Sequence, residues 1–544
     1  MRIQSARMVL TSALVVALLL GDVSALLKLP LFRDGAKHHA ALRKRTKFPV
    51  TVDGDFRGGG FYYVNASVGT PGQIIALTFD TGSSDVWLFA PGSCDSSTAA
   101  CLGGAFDSSQ SSTFVLVDEG EFAIQYYTAN SGVKGDYIAD NFAVGGTLVK
   151  NLTMGLALQA SYVDTAIMGV GFDAEESSVG NLQTTYPSFI DNLVSQSIIG
   201  SALYSVYLDD IDVATGTIVF GGIDTTKYSG SLSVLEIQPD KLGNYSSFSV
   251  LWQSIGLTDS TGSTILSGDQ GASALPALVI LDTGTAITYV PDTMFQTLAN
   301  YFGAENDDQL GNLVSCQLGR DSNSNGTIDF GFGKNGGGPV ISVPYSEIAV
   351  PAIDPTTGEQ LMDEHGQPVC LFGVGSVNQL GDGAPLLFGD TFLRSAYLVY
   401  DLENKQVGLA QTVFNSTESN IVSITTLGNL PGLTVNSVVG GSTVTQSASN
   451  VHVAPGGSKA TNTASVVTVP APVTHGTHTS NSGSTGPGTS TITDTTNPTT
   501  TPITTSTSFT ALTTTSKAHV APRGTAGPAA IAFAGVLALA GGLY

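Results

Sequence analysis

The chain has 544 residues and a formal net charge of −23, and only 12% of its residues are charged. Residues 48–515 contain 10 of the 21 Lys and Arg but 42 of the 44 Asp and Glu, which excludes nucleic acid and anionic membranes as partners of this surface. Repulsion between the surface carboxylates would fall as they protonate near pH ~4, so an acidic environment suits the chain. An excess of acidic residues that only aids solubility explains the charge equally well. Abundant Gly between short β-branched runs favours a mostly β protein.

The first 25 residues have the pattern of a secretory signal peptide. Arg2 and Arg7 give a positive start, an apolar run covers residues 8–20, and Val23-Ser24-Ala25 fits the small-x-small rule for cleavage. A membrane anchor is the alternative, but the apolar run is shorter than the ~20 residues that a span needs.

Residues 26–45 are predicted to be a short pro-segment. They are basic and end in Arg43-Lys44-Arg45, a dibasic site of the kind that kexin-type processing proteases cut. Such a segment could lie over an acidic cleft and neutralise it until removal. The alternative is a solvated run of charges.

An internal repeat carries the chemistry of the chain. Two apolar strands each run directly into an Asp-Thr-Gly motif, at residues 80–83 and at residues 282–285. An apolar-apolar-Gly triplet follows each motif, at residues 167–169 and 387–389. A single Asp-Thr-Gly indicates no more than an ordinary turn, whereas the duplication of both elements predicts two related lobes that contribute one Asp each.

Paired carboxylates on such turns are suited to peptide hydrolysis without a covalent intermediate. This reaction needs a base that activates water and an acid that protonates the carbonyl oxygen, and Asp80 and Asp282 offer these two groups. The neighbours expected to support the pair are Gly82 and Gly284, which permit tight turns, Ser83 and Thr285, which can donate to the carboxylates, and Thr81 and Thr283, which can tie the loops together.

With these motifs, the chain resembles the pepsin family, and in particular the GPI-anchored fungal yapsin-like members, over about residues 58–413. Further motifs that carry the resemblance are Phe61-Tyr62-Tyr63, residues 68–73, Ser84-Asp85-Val86-Trp87, residues 221–224, residues 388–394 and residues 397–401. The resemblance implies an all-β, bilobal acid-protease fold with the active-site cleft between two related lobes. It implies that Asp80 and Asp282 are the catalytic pair, which share one proton as the carboxyl pairs of aspartic proteases do.

A β-hairpin flap over the cleft is also implied by the resemblance. Residues 122–126 resemble its first strand, which makes Tyr126 the flap tyrosine and Trp87 its hydrogen-bond partner. A plain cross-strand aromatic residue is the alternative for Tyr126. The chain departs from the family pattern at Tyr127, where Gly is usual, and at Ala286, where Ser is usual, so the flap backbone and a hydroxyl beside the substrate differ.

Four cysteines allow three pairings in an oxidising compartment. Their positions suggest a small loop between Cys94 and Cys101 and a larger loop between Cys316 and Cys370, and the family resemblance implies these two disulfides. A zinc site is the rival interpretation, but no Cys-x-x-Cys or nearby His pair accompanies the cysteines.

Asn-x-Ser/Thr triplets are compatible with secretion and are common by chance. The five candidate glycosylation sites are Asn65, Asn151, Asn244, Asn325 and Asn415.

The C-terminal quarter has a different composition from the rest of the chain. Residues 414–527 are rich in Ser, Thr, Gly and Pro, which predicts a disordered, O-glycosylated stalk. Residues 528–544 are apolar and small without a following charge, the pattern of a GPI-attachment signal. A membrane-spanning helix is the alternative, disfavoured by its length.

The sequence therefore predicts a secreted, cell-surface aspartic endopeptidase with an N-terminal lobe at 46–200 and a C-terminal lobe at 201–413. We expect a monomer that takes protein or peptide substrates, touches the membrane only through a GPI lipid, and needs no metal or cofactor. A non-catalytic wall protein with the same fold is the alternative, although loss of an Asp would be its usual mark. A mucin-like adhesin explains only the stalk.

Overall fold

The structure is a computed structural model that describes residues 26–33, 61–93, 101–126, 131–213, 215–266, 270–307, 310–321, 325–332, 338–353, 359–381 and 383–424. The predicted signal peptide, the dibasic site at 43–45, Cys94, Tyr127 and the chain from 425 onward, with most of the predicted stalk and all of the tail, lie outside these residues.

Short strands form most of the described structure, as the Gly-punctuated β-branched runs predict. In the first half these are β1 (Leu27–Arg33), β2 (Tyr62–Val68), β3 (Gln73–Asp80), β4 (Val86–Phe89), β5 (Val115–Gln125), β6 (Gly132–Val144), β7 (Thr147–Ser161) and β8 (Ala166–Gly169). In the second half they are β9 (Leu203–Tyr207), β10 (Thr215–Phe220), β11 (Gly222–Asp224), β12 (Tyr228–Glu236), β13 (Ser249–Trp252), β14 (Ser254–Asp259), β15 (Gly262–Ile265), β16 (Ala277–Leu281), β17 (Thr288–Val290), β18 (Glu305–Asp307), β19 (Gly311–Ser315), β20 (Gly326–Gly331), β21 (Val340–Pro344), β22 (Ala349–Pro351), β23 (Val369–Phe372), β24 (Val374–Ser376), β25 (Leu386–Phe388), β26 (Ala396–Asp401), β27 (Gln406–Thr412) and β28 (Ile421–Ser423).

The described helices are short and connect strands. They are α1 (Ser177–Asn181), α2 (Phe189–Ser195), α3 (Asp292–Phe302) and α4 (Asp390–Leu393). In α2 the Ser188 hydroxyl accepts from the Asp191 N–H while the Asp191 carboxylate accepts from the Ser188 N–H, so a capping box begins the helix. Among these described helices, none is both long enough and apolar enough to cross a membrane.

One large sheet joins the two halves of the chain. Its thirteen strands run in the order β12-β27-β26-β9-β10-β1-β2-β3-β8-β4-β7-β6-β5, so strands of the second half lie on one side of β1 and strands of the first half on the other. Smaller sheets of the second half have the orders β13-β16-β25-β17-β24, β15-β14-β20-β21 and β18-β19-β23-β22. This arrangement confirms the predicted all-β fold with two related halves.

The duplicated motifs occupy equivalent places in the two halves. β3 pairs in parallel with β8, which sets Asp80 opposite Gly169, and β16 pairs in parallel with β25. A Cβ on Gly169 would lie 2.7 Å from the Asp85 carbonyl oxygen, and one on Gly389 would lie 2.2 Å from the Thr285 carbonyl oxygen. Both triplets therefore end in Gly because a neighbouring backbone passes through the space of a side chain.

The beginning of the predicted pro-segment forms strand β1 at the centre of the large sheet. Leu27, Leu29 and Leu31 are all buried, and residues 27–32 pair with β10. Their alternation with more exposed neighbours is the period of a half-buried strand. The rest of the predicted pro-segment, from residue 34, lies outside the described residues.

The folded lobe extends to residue 424, so the predicted boundary between lobe and stalk at 413/414 is too early. β28 pairs with β11, the Asn420 N–H donates to Asp224 at 2.8 Å, and the Ser201 hydroxyl donates to the Ile424 carbonyl at 3.2 Å. The Ser- and Asn-rich composition of this segment resembles a stalk, but the Ser419 hydroxyl donates to Asp224 and the Asn420 side-chain amide donates to the Thr225 hydroxyl, both at 2.7 Å.

Candidate active site

The two Asp-Thr-Gly loops meet at the ends of β3 and β16. Asp80 and Asp282 are both fully buried, and their carboxyl groups hydrogen bond to each other. A Cβ on Gly82 would lie 2.4 Å from Asp282 Oδ1, and one on Gly284 would lie 2.3 Å from Asp80 Oδ1. Each Gly thus faces the opposite carboxyl group, and only a residue without a side chain leaves room for the pair to meet.

Two threonines bind the loops to each other across the interface between the halves. The Thr81 N–H donates to Thr283 Oγ1 at 3.1 Å, and the Thr283 N–H donates to Thr81 Oγ1 at 3.0 Å. Each hydroxyl then donates at 2.8 Å to a strand of the other half, Thr81 to the Leu281 carbonyl and Thr283 to the Phe79 carbonyl. Four crossed hydrogen bonds fix the position of one loop relative to the other.

Each carboxyl group is held by a matching set of donors from its own loop. The Gly82 N–H donates to Asp80 Oδ1 at 2.8 Å and the Gly284 N–H to Asp282 Oδ1 at 2.7 Å. The Ser83 hydroxyl donates to Asp80 Oδ2, and the Thr285 hydroxyl donates to Asp282 Oδ2. These donors hold both carboxyl groups in fixed orientations, as the sequence predicts for Ser83 and Thr285.

Burial raises the pKa of both carboxyl groups, because the ionised form loses its hydration. For Asp80 the charge of Asp282 raises the pKa further, while the Ser83 hydroxyl opposes the shift. For Asp282 the Thr285 hydroxyl and the Asp80 carboxyl group oppose the shift. Two carboxyl groups in contact and out of water retain one shared proton over a wide range of pH.

Strands β5 and β6 form a hairpin that brings Tyr126 close to the pair. Gln125 pairs with Gly132, and Tyr126 is 5% exposed. Burial raises the pKa of the Tyr126 hydroxyl, and the charges of Asp80 and Asp85 raise it further. The predicted flap tyrosine therefore lies near the carboxyl pair. The tip at residues 127–130 lies outside the described residues.

Trp87 and Tyr126, the pair predicted to be hydrogen bonded, lie close together. The Trp87 Nε1 and the Tyr126 hydroxyl are both buried, and no other described residue offers either of them a hydrogen-bond partner. A hydrogen bond from the indole opposes the rise in the Tyr126 pKa, which favours the predicted pairing. The indole also packs edge-on against Phe89, whose ring centroid lies 5.0 Å away.

A family model of eukaryotic aspartyl proteases matches residues 61–412. The chain belongs to this family.

Curated relatives agree with this assignment. The chain is 35% identical to the "Probable aspartic-type endopeptidase opsB" of Aspergillus fumigatus over 413 residues, which cover 74% of this chain and 79% of the relative. It is 30% identical to "Candidapepsin" of Candida tropicalis, over 70% of this chain and 86% of the relative, and 30% identical to "Secreted aspartic protease 6" of Candida albicans, over 72% and 84%.

A solved structure, that of the aspartic proteinase from Irpex lacteus, resembles this protease in fold. The TM-score is 0.50 at 24% sequence identity, and the match covers 66% of this chain and 96% of the other. This similarity confirms the pepsin-like fold.

Two buried carboxyl groups beside the loops of this aspartyl protease were not assigned a role from sequence. Asp85 accepts from the Ser177 N–H at 2.8 Å and from the Tyr186 hydroxyl at 2.6 Å. Asp390 lies behind the second loop, its N–H donating to the Thr285 carbonyl at 2.8 Å. Both residues lie within motifs that carry the family resemblance. Their hydrogen-bond partners are about a hundred residues away in sequence, so the motifs do not identify them.

The carboxyl group of Asp390 has no hydrogen-bond partner among the described residues. Burial raises its pKa well above the usual range, the guanidinium of Arg394 opposing this and the charge of Asp282 adding to it. Arg394 itself is buried and paired with Glu347. Burial without a hydrogen-bond donor therefore favours the protonated form of Asp390 behind the second loop.

The disulfide between Cys316 and Cys370 is confirmed, with the two Cα atoms 5.2 Å apart. It connects the end of β19 to β23. The pairing of Cys101 with Cys94 stays a prediction, because Cys94 lies outside the described residues.

Four of the five candidate glycosylation sites are exposed in this aspartyl protease, namely Asn151, Asn244, Asn325 and Asn415. Asn65 is half-buried on β2, where it stands opposite Ala76 of β3. Exposure makes the first four sterically suitable as acceptors. Asn65 is the least suitable of the five.

Proposed function

We propose that the protein is an aspartic endopeptidase that hydrolyses peptide bonds of proteins at acidic pH, with Asp80 and Asp282 as its catalytic pair. The observation that carries this proposal is the buried pair itself, in which two hydrogen-bonded carboxyl groups are each held by one backbone N–H and one hydroxyl. Membership of the aspartyl protease family supports the same reaction.

The pair acts through the single proton that it shares. The ionised carboxylate takes a proton from a water molecule as the water oxygen attacks the scissile carbonyl carbon, and the protonated carboxyl group gives its proton to the carbonyl oxygen. The resulting diol collapses when the C–N bond breaks: the protonated carboxyl group gives its proton to the leaving nitrogen while the other carboxylate takes a proton from a diol hydroxyl, so the pair again holds one proton. The fixed donors Gly82, Ser83, Gly284 and Thr285 keep both carboxyl groups aligned throughout, so no reorganisation is needed during the reaction.

An acidic optimum follows from the environment of the pair. The singly protonated state disappears when both carboxyl groups are protonated at low pH and when the second proton is lost at higher pH, which gives a bell-shaped profile. Burial raises both pKa values, which favours retention of the shared proton. The acidic surface, which repels itself less at low pH, suits the same range.

The hairpin of β5 and β6 acts as a flap that closes over an extended peptide, with Tyr126 facing the scissile bond. Closure excludes water and orients the bond against the pair. The proximity of Tyr126 to Asp80 supports this role. Ala286 leaves the second loop without a hydroxyl at the cleft, so we expect weaker substrate affinity there rather than altered chemistry.

Secretion and surface attachment belong to the same proposal. A signal peptide at 1–25, a pro-segment cut after Arg43-Lys44-Arg45, N-glycosylation, a glycosylated stalk and a GPI-attachment tail would place a monomeric protease outside the cell, held by a lipid. The name of the Candida albicans relative, "Secreted aspartic protease 6", supports the secreted location.

A peptide-library assay tests the proposal. The protein is purified as a host secretes it, its N-terminus is sequenced, and cleavage is followed from pH 3 to 7 with and without pepstatin, beside the isosteric variant Asp282→Asn. Acid-optimal cleavage that pepstatin blocks and the variant lacks is expected. A folded wild-type protein that cleaves nothing at any pH would instead favour the non-catalytic wall protein.

A further inference from the structure

The first catalytic loop is connected to both strands of the flap hairpin through the short helix α1. Asp85, five residues after Asp80 and two before Trp87, is 2% exposed. Its carboxylate accepts from the Ser177 N–H at 2.8 Å, from the Ser177 hydroxyl at 3.0 Å and from the Tyr186 hydroxyl at 2.6 Å. Three donors on one buried carboxylate make a rigid anchor between the loop and the start of α1.

The same helix reaches the first flap strand at its other end. Asn181, the last residue of α1, donates from its side-chain amide to the Ala123 carbonyl in β5 at 3.0 Å. Ala123 is three residues before Tyr126. The position of the flap tyrosine along β5 is therefore set partly by α1.

The second flap strand is connected to α1 through a tyrosine. The Tyr137 hydroxyl in β6 lies 2.8 Å from the Ser177 hydroxyl, and Tyr137 is 1% exposed. The Tyr137 ring packs edge-on against Phe122 of β5, with ring centroids 5.4 Å apart. Ser177 thus bonds Asp85 on one side and the base of the flap on the other.

We propose that Asp85 is a positioning residue for the proposed peptide hydrolysis, and that its carboxylate fixes the flap relative to the first catalytic loop through Ser177 and α1. The inference rests on the proposed function for its effect on turnover. A carboxylate accepts from the N–H and from both hydroxyl groups at once. An amide must turn its NH₂ group toward the Ser177 N–H, or toward the two hydroxyl groups, which would then have to reverse and accept.

Asp85→Asn is the variant that tests this inference, and Asp191→Asn is its matched control. Asp191 is in the same lobe and accepts from the N–H and the hydroxyl of Ser188 in the capping box of α2. Within the part of the chain that the structure describes, no hydrogen bond joins α2 to β5 or β6. We expect Asp85→Asn to lower kcat/KM about tenfold, the scale of a modest misplacement of substrate, and Asp191→Asn to change it less than twofold. Equal losses in the two variants, at matched thermal stability, would overturn the inference.

Tyr137→Phe completes a double-mutant cycle. If Asp85 acts through Ser177 and the flap base, Tyr137→Phe lowers kcat/KM in the wild type but adds little in the Asp85→Asn background. Additive losses would contradict a connected path. The cycle separates positioning from simple destabilisation, because independent stability losses add.

Hydrogen exchange of the flap strands gives a readout that does not require turnover. In Asp85→Asn, exchange at residues 122–125 and 132–137 should rise relative to the wild type and to Asp191→Asn. Unchanged exchange would exclude Asp85 from flap positioning even in a protein without peptidase activity. If the wild-type protein cleaves no peptide but exchange still rises in Asp85→Asn, the proposed function is wrong and the structural inference stands.

Discussion

The two Asp-Thr-Gly loops are alike where they hold the carboxyl pair and different immediately afterwards. Each loop supplies a Gly N–H and a hydroxyl to its own Asp and a threonine to the other half. Five residues after the Asp, the first loop has the buried Asp85 and the second has Ile287. Asp85 bonds α1, whereas the second loop is followed by Thr288, whose hydroxyl meets that of Thr391 at 2.9 Å.

The features that the two loops share serve the proposed chemical step, and the features that differ serve the positioning of the substrate. The symmetric part brings two equivalent acids together, which the shared-proton reaction requires. The asymmetric part connects one loop to the flap hairpin of β5 and β6, which belongs to the first half alone. Variants of the symmetric part test the carboxyl pair and its loops, and variants of the asymmetric part test residues that one half alone contains.

The largest expected effect comes from removing either acid. Asp80→Asn and Asp282→Asn should each lower kcat by on the order of 10⁴, because each removes the exchange of one proton between base and acid. Both variants should fold, since a neutral amide replaces a buried carboxyl group. Peptide-cleavage assays measure kcat, and a thermal melt checks that each variant is folded. An active Asn variant at either position would contradict the need for both acids.

Glu176 gives the next largest effect, and it is specific to the first half. It is fully buried beside Asp85, and one of its carboxyl oxygens, Oε1, has no hydrogen-bond partner in the described structure. Burial raises its pKa to about 9, the Tyr186 N–H opposing this and the charges of Asp85 and Asp173 adding to it. The folded state therefore keeps a proton that the unfolded state loses near its ordinary carboxyl pKa.

The sign of the linkage follows from these protons. Between the unfolded and folded pKa values the native state binds more protons, so the free energy of unfolding falls as pH rises, by ~1.4 kcal/mol per pH unit for this group. Glu176→Gln should remove that slope and leave stability near pH 4 almost unchanged. Urea unfolding at pH 4 and pH 7 measures the slope. An equal fall in the free energy of unfolding in the wild type and the variant would contradict a buried, protonated Glu176.

The crossed threonines should have equal and smaller effects. Thr81→Ala and Thr283→Ala each remove a hydroxyl that accepts one N–H and donates to one carbonyl across the interface. We expect each to cost about 2 kcal/mol of unfolding free energy, because buried backbone groups lose their partners. Chemical denaturation of both variants measures this, and a cost at one position only would show that the two loops are not equivalent.

The smallest effect is expected at the cleft side of the second loop. Ala286→Ser restores a hydroxyl that the family usually carries, so KM should fall about threefold while kcat stays constant, as for uniform binding of substrate and transition state. Steady-state kinetics with an extended peptide measures both constants. A change in kcat without a change in KM would place this residue in the chemistry instead.

The sequence was sufficient for the features that are encoded locally and twice. Tight Asp-Thr-Gly turns after apolar strands identify Asp80 and Asp282, and the following apolar-apolar-Gly triplets identify the backbone crossings at Gly169 and Gly389. The alternation of Leu27, Leu29 and Leu31 also carries the signal of a half-buried strand, which the basic character of the pro-segment obscured.

Other features depend on pairings that composition does not reveal. The segment at 414–424 has the residues of a stalk, yet β28 folds because Gly222–Asp224 offers it an edge some two hundred residues earlier. Asp85 meets Ser177 in the same way.

The most direct test of the central claim is the pH dependence of kcat/KM for one cleavable peptide, measured from pH 2 to 8 for the wild-type protein and Asp282→Asn. A pair that shares one proton predicts a bell with its maximum at acidic pH in the wild type, and a flat residual rate in the variant. A rate that rises steadily to pH 8, or a variant that keeps the bell, would contradict catalysis by Asp80 and Asp282.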